Sequence, residues 1–113
     1  MTEAKLLVCI ISREKKLEEV LEALLEKGYS GASILDVRGM LEYLADEIPL
    51  FAGFRSLIHT ETKKNKMILS VIPGDAALNE AMDIIERVYG SFSDTNTGIM
   101  FSLDLSNLRG LKF

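Results

Sequence analysis

The sequence predicts an α+β fold, a ferredoxin-like split βαβ sandwich in which a four-stranded antiparallel sheet carries two helices on one face. Three observations predict it. Apolar residues recur at helical spacing in two separate stretches. Four short segments rich in aliphatic and β-branched residues surround them. The two kinds follow in the order strand, helix, strand, strand, helix, strand. At 113 residues the chain is a single domain, 1–113, long enough for one core and too short for two.

The first strand is KLLVCII, continuous in apolarity from Leu6 to Ile11, as suits a central strand covered on both faces. SREKKLEEVLEALLEKG follows. Its Leu17, Val20, Leu21, Leu24 and Leu25 share one helical stripe, with Ser12 placed to cap the start and Gly28 to end the helix. GASILDVRG reads as a strand with Ser33, Leu35 and Val37 on one side and Ile34, Asp36 and Arg38 on the other. SLIHTETKKNKMILSVI is strand-like at both ends, and TKKNK inside it is either a solvated bulge or the turn of an extra hairpin. GDAALNEAMDIIERVYG places Leu78, Ala81, Met82, Ile85, Val88 and Tyr89 on a second stripe, with Asp75 as the expected cap. GIMFSLDL alternates, with Ile99, Phe101, Leu103 and Leu105 on one face and Met100, Ser102 and Asp104 on the other.

Right-handed crossovers put both helices on the same side of such a sheet. The first strand and Met67–Ile72 are nearly apolar throughout, so their second faces are apolar too. Four strands about 4.8 Å apart and about 18 Å long present roughly 350 Å² of face, near the largest apolar patch a monomer shows. If half is apolar, burial contributes on the order of 4 kcal/mol per chain, an upper bound. A closed ring of identical chains would hide every copy of the face by symmetry.

Composition excludes several functions. A net charge of −4 and a pI near 5.0 oppose general nucleic-acid binding. The apolar run of the amino terminus is too short for an export signal or a membrane span, so a cytoplasmic protein is expected. Cys9, the only cysteine, has no partner in the chain and is expected as a buried thiol. His59, the only histidine, has Glu61 beside it and too few further ligands for a metal. No nucleophile stands with a base, so no enzyme is expected.

The segment KLEEVLEALLEKGYSGASILDVRG is similar to the corresponding part of the PII nitrogen-regulatory signal proteins. KMILSVIPGDAALNEAMDIIERV resembles their third strand and second helix, and GIMF the start of their fourth strand. The resemblance implies a homotrimer with inward-facing sheets, adenine nucleotides in clefts between subunits, and a loop after the second strand that docks on a protein partner. By that resemblance Ile11, Ser33, Arg38, Gly39 and Gly98 match ligand-site positions, and Arg109 and Lys112 stand where carboxyl-terminal arginines reach a neighbour. Ile99 occupies the position of the family's phosphate lysine, and no lysine or arginine lies between Val88 and Met100. Leu41 and Glu42 replace the second loop glycine and the arginine after it. Two alternatives stand beside this reading: a trimeric module that has lost its nucleotide site, and a divalent-cation-tolerance-like protein, whose resemblance rests on fold alone.

The partner loop, about residues 40–56, is unusually apolar, with Leu41, Leu44, Ile48, Leu50, Phe51 and Phe54, and it includes Tyr43. A short helix over 40–46 and a turn at Pro49 are expected, with Leu50, Phe51 and Phe54 packed against the same or a neighbouring subunit. Replacing Phe51 and Phe54 together by Ser is expected to cost roughly 2 kcal/mol. It should also open the segment between residues 40 and 56 to protease. An unchanged melting temperature with unchanged resistance contradicts the packing.

Overall fold

A computed structural model of the chain describes residues 3–11, 16–50, 53, 65–93 and 98–111. Its elements are β1 (Lys5–Ile11), α1 (Leu17–Glu26), β2 (Ala32–Val37), α2 (Met40–Glu47), β3 (Asn65–Ile72), α3 (Asp75–Tyr89) and β4 (Gly98–Asp104). The strands form one sheet in the order β2-β3-β1-β4, antiparallel at every pairing. This is the expected split βαβ sheet, and β1 is central in it. The short helix expected at 40–46 is present as α2.

Alternation along each strand decides what goes inside. Leu7, Cys9 and Ile11 of β1 and Ile68 and Ile72 of β3 point to the helix side. There they meet Val20 and Leu24 of α1 and Leu78, Ala81, Ile84, Ile85 and Tyr89 of α3. The second stripe is therefore wider than its spacing suggested, since Ile84 is buried while Met82 and Val88 only border the core.

Both expected caps are corrected. Lys16, not Ser12, holds the N-cap position of α1, and no side chain caps it. Gly74 holds that position in α3, while the Asp75 carboxylate lies 3.5 Å from the Lys5 ammonium. The end of α1 is as expected. Gly28 takes φ +90, its N–H bonds to the Leu25 carbonyl at 2.9 Å, and the Tyr29 N–H reaches the Leu24 carbonyl at 2.9 Å. That pair of bonds is a Schellman motif, which satisfies carbonyls the helix leaves open.

Two side chains tie the helices together. The Lys16 ammonium donates to the Val88 carbonyl at 3.3 Å, placing a cation at the carboxyl end of α3, and the Tyr29 hydroxyl donates to Glu80 at 2.7 Å. Because Lys16 precedes α1 and Val88 is near the end of α3, the two helices run antiparallel.

Residues of the opposite sheet face are Leu6, Val8 and Ile10, Ser33, Leu35 and Val37, Asn65, Met67, Leu69 and Val71, and Ile99, Phe101 and Leu103, as the registers place them. None of these is charged. Ile99, Phe101, Leu103 and Leu35 are 55%, 41%, 49% and 43% exposed, so the apolar side of β4 faces away from the helices. Asn65 and Lys66 belong to β3, which settles that end of the TKKNK segment. Lys66 bonds to Asp36 and is not a solvated tip. The course of 60–64, and His59 and Glu61, lie outside the described residues.

Burial pushes the Cys9 thiol up to about 12 from its ordinary 9.0. The folded chain thus favours the neutral thiol, and the unfolded chain ionises first as pH rises. The Cys9 contribution is complete below pH 9.0 and is lost as pH climbs toward about 12. Denaturant melts of wild type and Cys9→Ala should therefore converge along the alkaline limb, and wild type should resist thiol reagents at pH 8. A gap between the two that stays constant with pH contradicts this.

Candidate functional site

The structure gathers part of the expected site at one end of the sheet. Ile11 is paired with Gly98 on one side and with Lys66 on the other, and Lys66 is paired with Asp36 of β2. Arg38 and Gly39 follow directly where β2 ends. Ile11, Arg38, Gly39 and Gly98 therefore share one end.

The other residues do not join them within one chain. Ser33 pairs with Leu69, four residues back from Val37, and is exposed on the open face. Arg109 is exposed in the segment after β4, whose last residue pairs with Lys5 at the far end of β1. Lys112 lies outside the described residues, as do Phe51 and Phe54 of the loop. The Ile11 side chain is 0% exposed and contributes to the helix-side core.

Arg38 is already engaged. Its Nη1 donates to Glu47 Oε1 at 2.8 Å, its Nη2 to Asp46 Oδ2 at 3.2 Å, and its guanidinium carbon stands 5.1 Å from the centre of the Tyr43 ring. The Glu47 hydrogen bond is the first cause raising the Arg38 pKa, with the charges of Glu47, Asp46 and Glu42 adding to it. This web folds α2 back over the end of β2. Lys66 is likewise bound to Asp36. A phosphate arriving here would compete with three carboxylates for two described cations.

Sequence reasoning missed the inside of α2. Glu42 and Ala45 are buried, whereas Met40, Leu41 and Tyr43 are 73%, 50% and 51% exposed. The first turn and a half of the helix thus turns an acid inward and large apolar side chains outward, while Leu44 and Ala45 face inward as usual. Leu50, expected to pack, is 86% exposed in the single chain. α2 ends at Glu47 ahead of Pro49, which turns the preceding residue Ile48 out of helical geometry, and Leu50 beyond it is exposed.

Gly98 has a structural reason to be glycine. Its φ is +137, and a Cβ there would stand 2.2 Å from the Ile10 carbonyl oxygen.

No family model matches the chain, and no curated protein sequence matches it significantly. Among solved structures, the crystal structure of Arabidopsis thaliana PII bound to citrate matches with a TM-score of 0.65. The match covers 94% of this chain and 78% of the other, at 18% identity. The chain therefore has a PII-like fold. Among the described residues no group of three or more His, Cys, Asp and Glu side chains could hold a metal ion, and no helix is long and apolar enough to cross a membrane.

Gly98→Ala is expected to cost about 1–3 kcal/mol from backbone strain alone, with the clash against Ile10 in addition. Gly31, with open space around it, should accept Ala within about 0.5 kcal/mol. Equal melting of the two variants contradicts the close approach.

Proposed function

We propose that the chain is a trimeric PII-like regulatory or sensor protein without catalytic activity. It binds a small effector of the adenine-nucleotide class in clefts between subunits and acts on a protein partner through the 40–56 segment. The observation that carries this reading is the open sheet face, uncharged at every strand position named above and apolar at all of them but Ser33 and Asn65.

The division of the candidate site supports it. Ser33 and Arg109 lie away from Arg38, Gly39 and Gly98 in one chain, and a neighbouring copy seated on the open face offers a way to complete the cleft. The exposed Met40, Leu41 and Leu50 support a docking role for the loop, since side chains of that size are exposed at a cost unless something covers them.

One observation favours a second reading, a trimeric module that no longer binds nucleotides. Arg38 is held by two carboxylates, and Ile99 stands on the open face where the resemblance places a phosphate-binding lysine. Calorimetric titration with adenosine mono-, di- and triphosphate and with cyclic nucleotides separates the two. The regulatory reading predicts saturable binding at one site per subunit, tighter for ligands with fewer phosphates because of the surrounding carboxylates. Silence with every nucleotide selects the module.

A further inference from the structure

At the corner where β2 gives way to α2 and β3 begins, two buried oxygens have no hydrogen-bond partner among the described residues: Glu42 Oε2 and Asn65 Oδ1. Glu42 is only 9% exposed. The residues belong to one corner by construction. Asn65 pairs across the sheet with Val37, the last residue of β2, and its Nδ2 lies 4.0 Å from where a Cβ on Gly39 would stand. Gly39 is the N-cap of α2, and Glu42 is the third helical residue, within the same first turn.

A glutamate at that position commonly reaches back to the N-cap N–H, completing a capping box. Here no side-chain cap bond forms. The neighbouring Arg38 reaches Glu42 only through its charge, because it directs Nη1 to Glu47 and Nη2 to Asp46. Among the described residues the corner thus holds two acceptors, one of them anionic, and no donor bonded to either. Such an arrangement is costly unless something positive and hydrogen-bonding completes it.

We propose that Glu42 and Asn65 are the acceptor half of a binding site for a small cation that donates hydrogen bonds, either ammonium or the head of a primary amine. A hard metal ion would require more oxygen or nitrogen ligands than the described residues supply. A water molecule would supply donors but no charge. Ammonium supplies both, at nearly the size of water, which suits two oxygens closed off from solvent. Its binding would pin the first turn of α2 to the start of β3 at the base of the loop. The inference rests on this corner and not on nucleotide binding.

The test is thermal melting of the full chain, wild type and Glu42→Gln, in ammonium, methylammonium, potassium, sodium and magnesium chlorides at matched ionic strength. Ammonium is expected to raise the wild-type melting temperature by about 3 °C or more over sodium and potassium. That increment should vanish in Glu42→Gln, which keeps the side-chain shape, removes the buried charge, and should melt at or above wild type in sodium chloride. Equal wild-type melting in all five salts overturns the proposal. So does a response specific to magnesium, or an ammonium increment retained by Glu42→Gln. A variant less stable than wild type in every salt also overturns it, because Glu42 would then be satisfied already, by internal water or by the Asn65 amide turned end for end.

Discussion

The structure depends on one asymmetry: the sheet is covered by helices on a single side, while its central strands are apolar on both. In β1, Leu7, Cys9 and Ile11 meet α1 and α3, and Leu6, Val8 and Ile10 face the other way with nearly the same chemistry. Antiparallel sheets that show one face to water alternate apolar with polar. This one does not. Val8 is buried between Leu69 and Phe101, and toward the edges Leu35 and Ile99 stand open. Cover from a second copy is the simplest way to remove that face from water, and the proposed clefts follow from the same step.

The corner beyond β2 is organised by charge. Arg38 draws in Asp46, Glu47 and the Tyr43 ring, and so fixes how α2 leaves the sheet. Exposed ion pairs of this kind are individually weak. The helix they hold turns Met40 and Leu41 to solvent and Glu42 inward, a costly arrangement that makes this corner the best place to look for a ligand and a partner.

Much of the fold was legible because periodicity is a direct record of burial. The stripes of α1 and α3, apart from Leu25, which is exposed, the order of the strands and the Gly28 ending all came from spacing and from the one residue that accepts a positive φ without strain. Even the short helix could be read, as 40–46 against the observed Met40–Glu47, from LEYLAD ahead of Pro49. The misses have physical causes. A cap depends on where the first turn begins, which is why Ser12 and Asp75 pointed to the wrong residues. Alternation in β4 showed that Ile99, Phe101 and Leu103 share a face, but nothing in that pattern says which face meets the helices. Glu42 gave no signal, because a buried acid contradicts the pattern by which burial is read. The candidate site was legible only in part: Arg38 and Gly39 lie at the same end of the sheet as Gly98, though at its opposite edge, whereas Ser33 and Arg109 are held elsewhere in the same chain, and the proposed geometry between chains would leave no local spacing to read.

Sedimentation velocity of the wild-type chain beside a Val8→Asp variant tests the central claim most directly, since Val8 lies at the middle of the open face and away from the helix-side core. The account predicts a wild-type species of three chains that persists on dilution, and a variant that sediments as a smaller species while keeping its helical and strand circular dichroism. A wild-type chain that sediments alone at working concentration, with its fold intact, would contradict it.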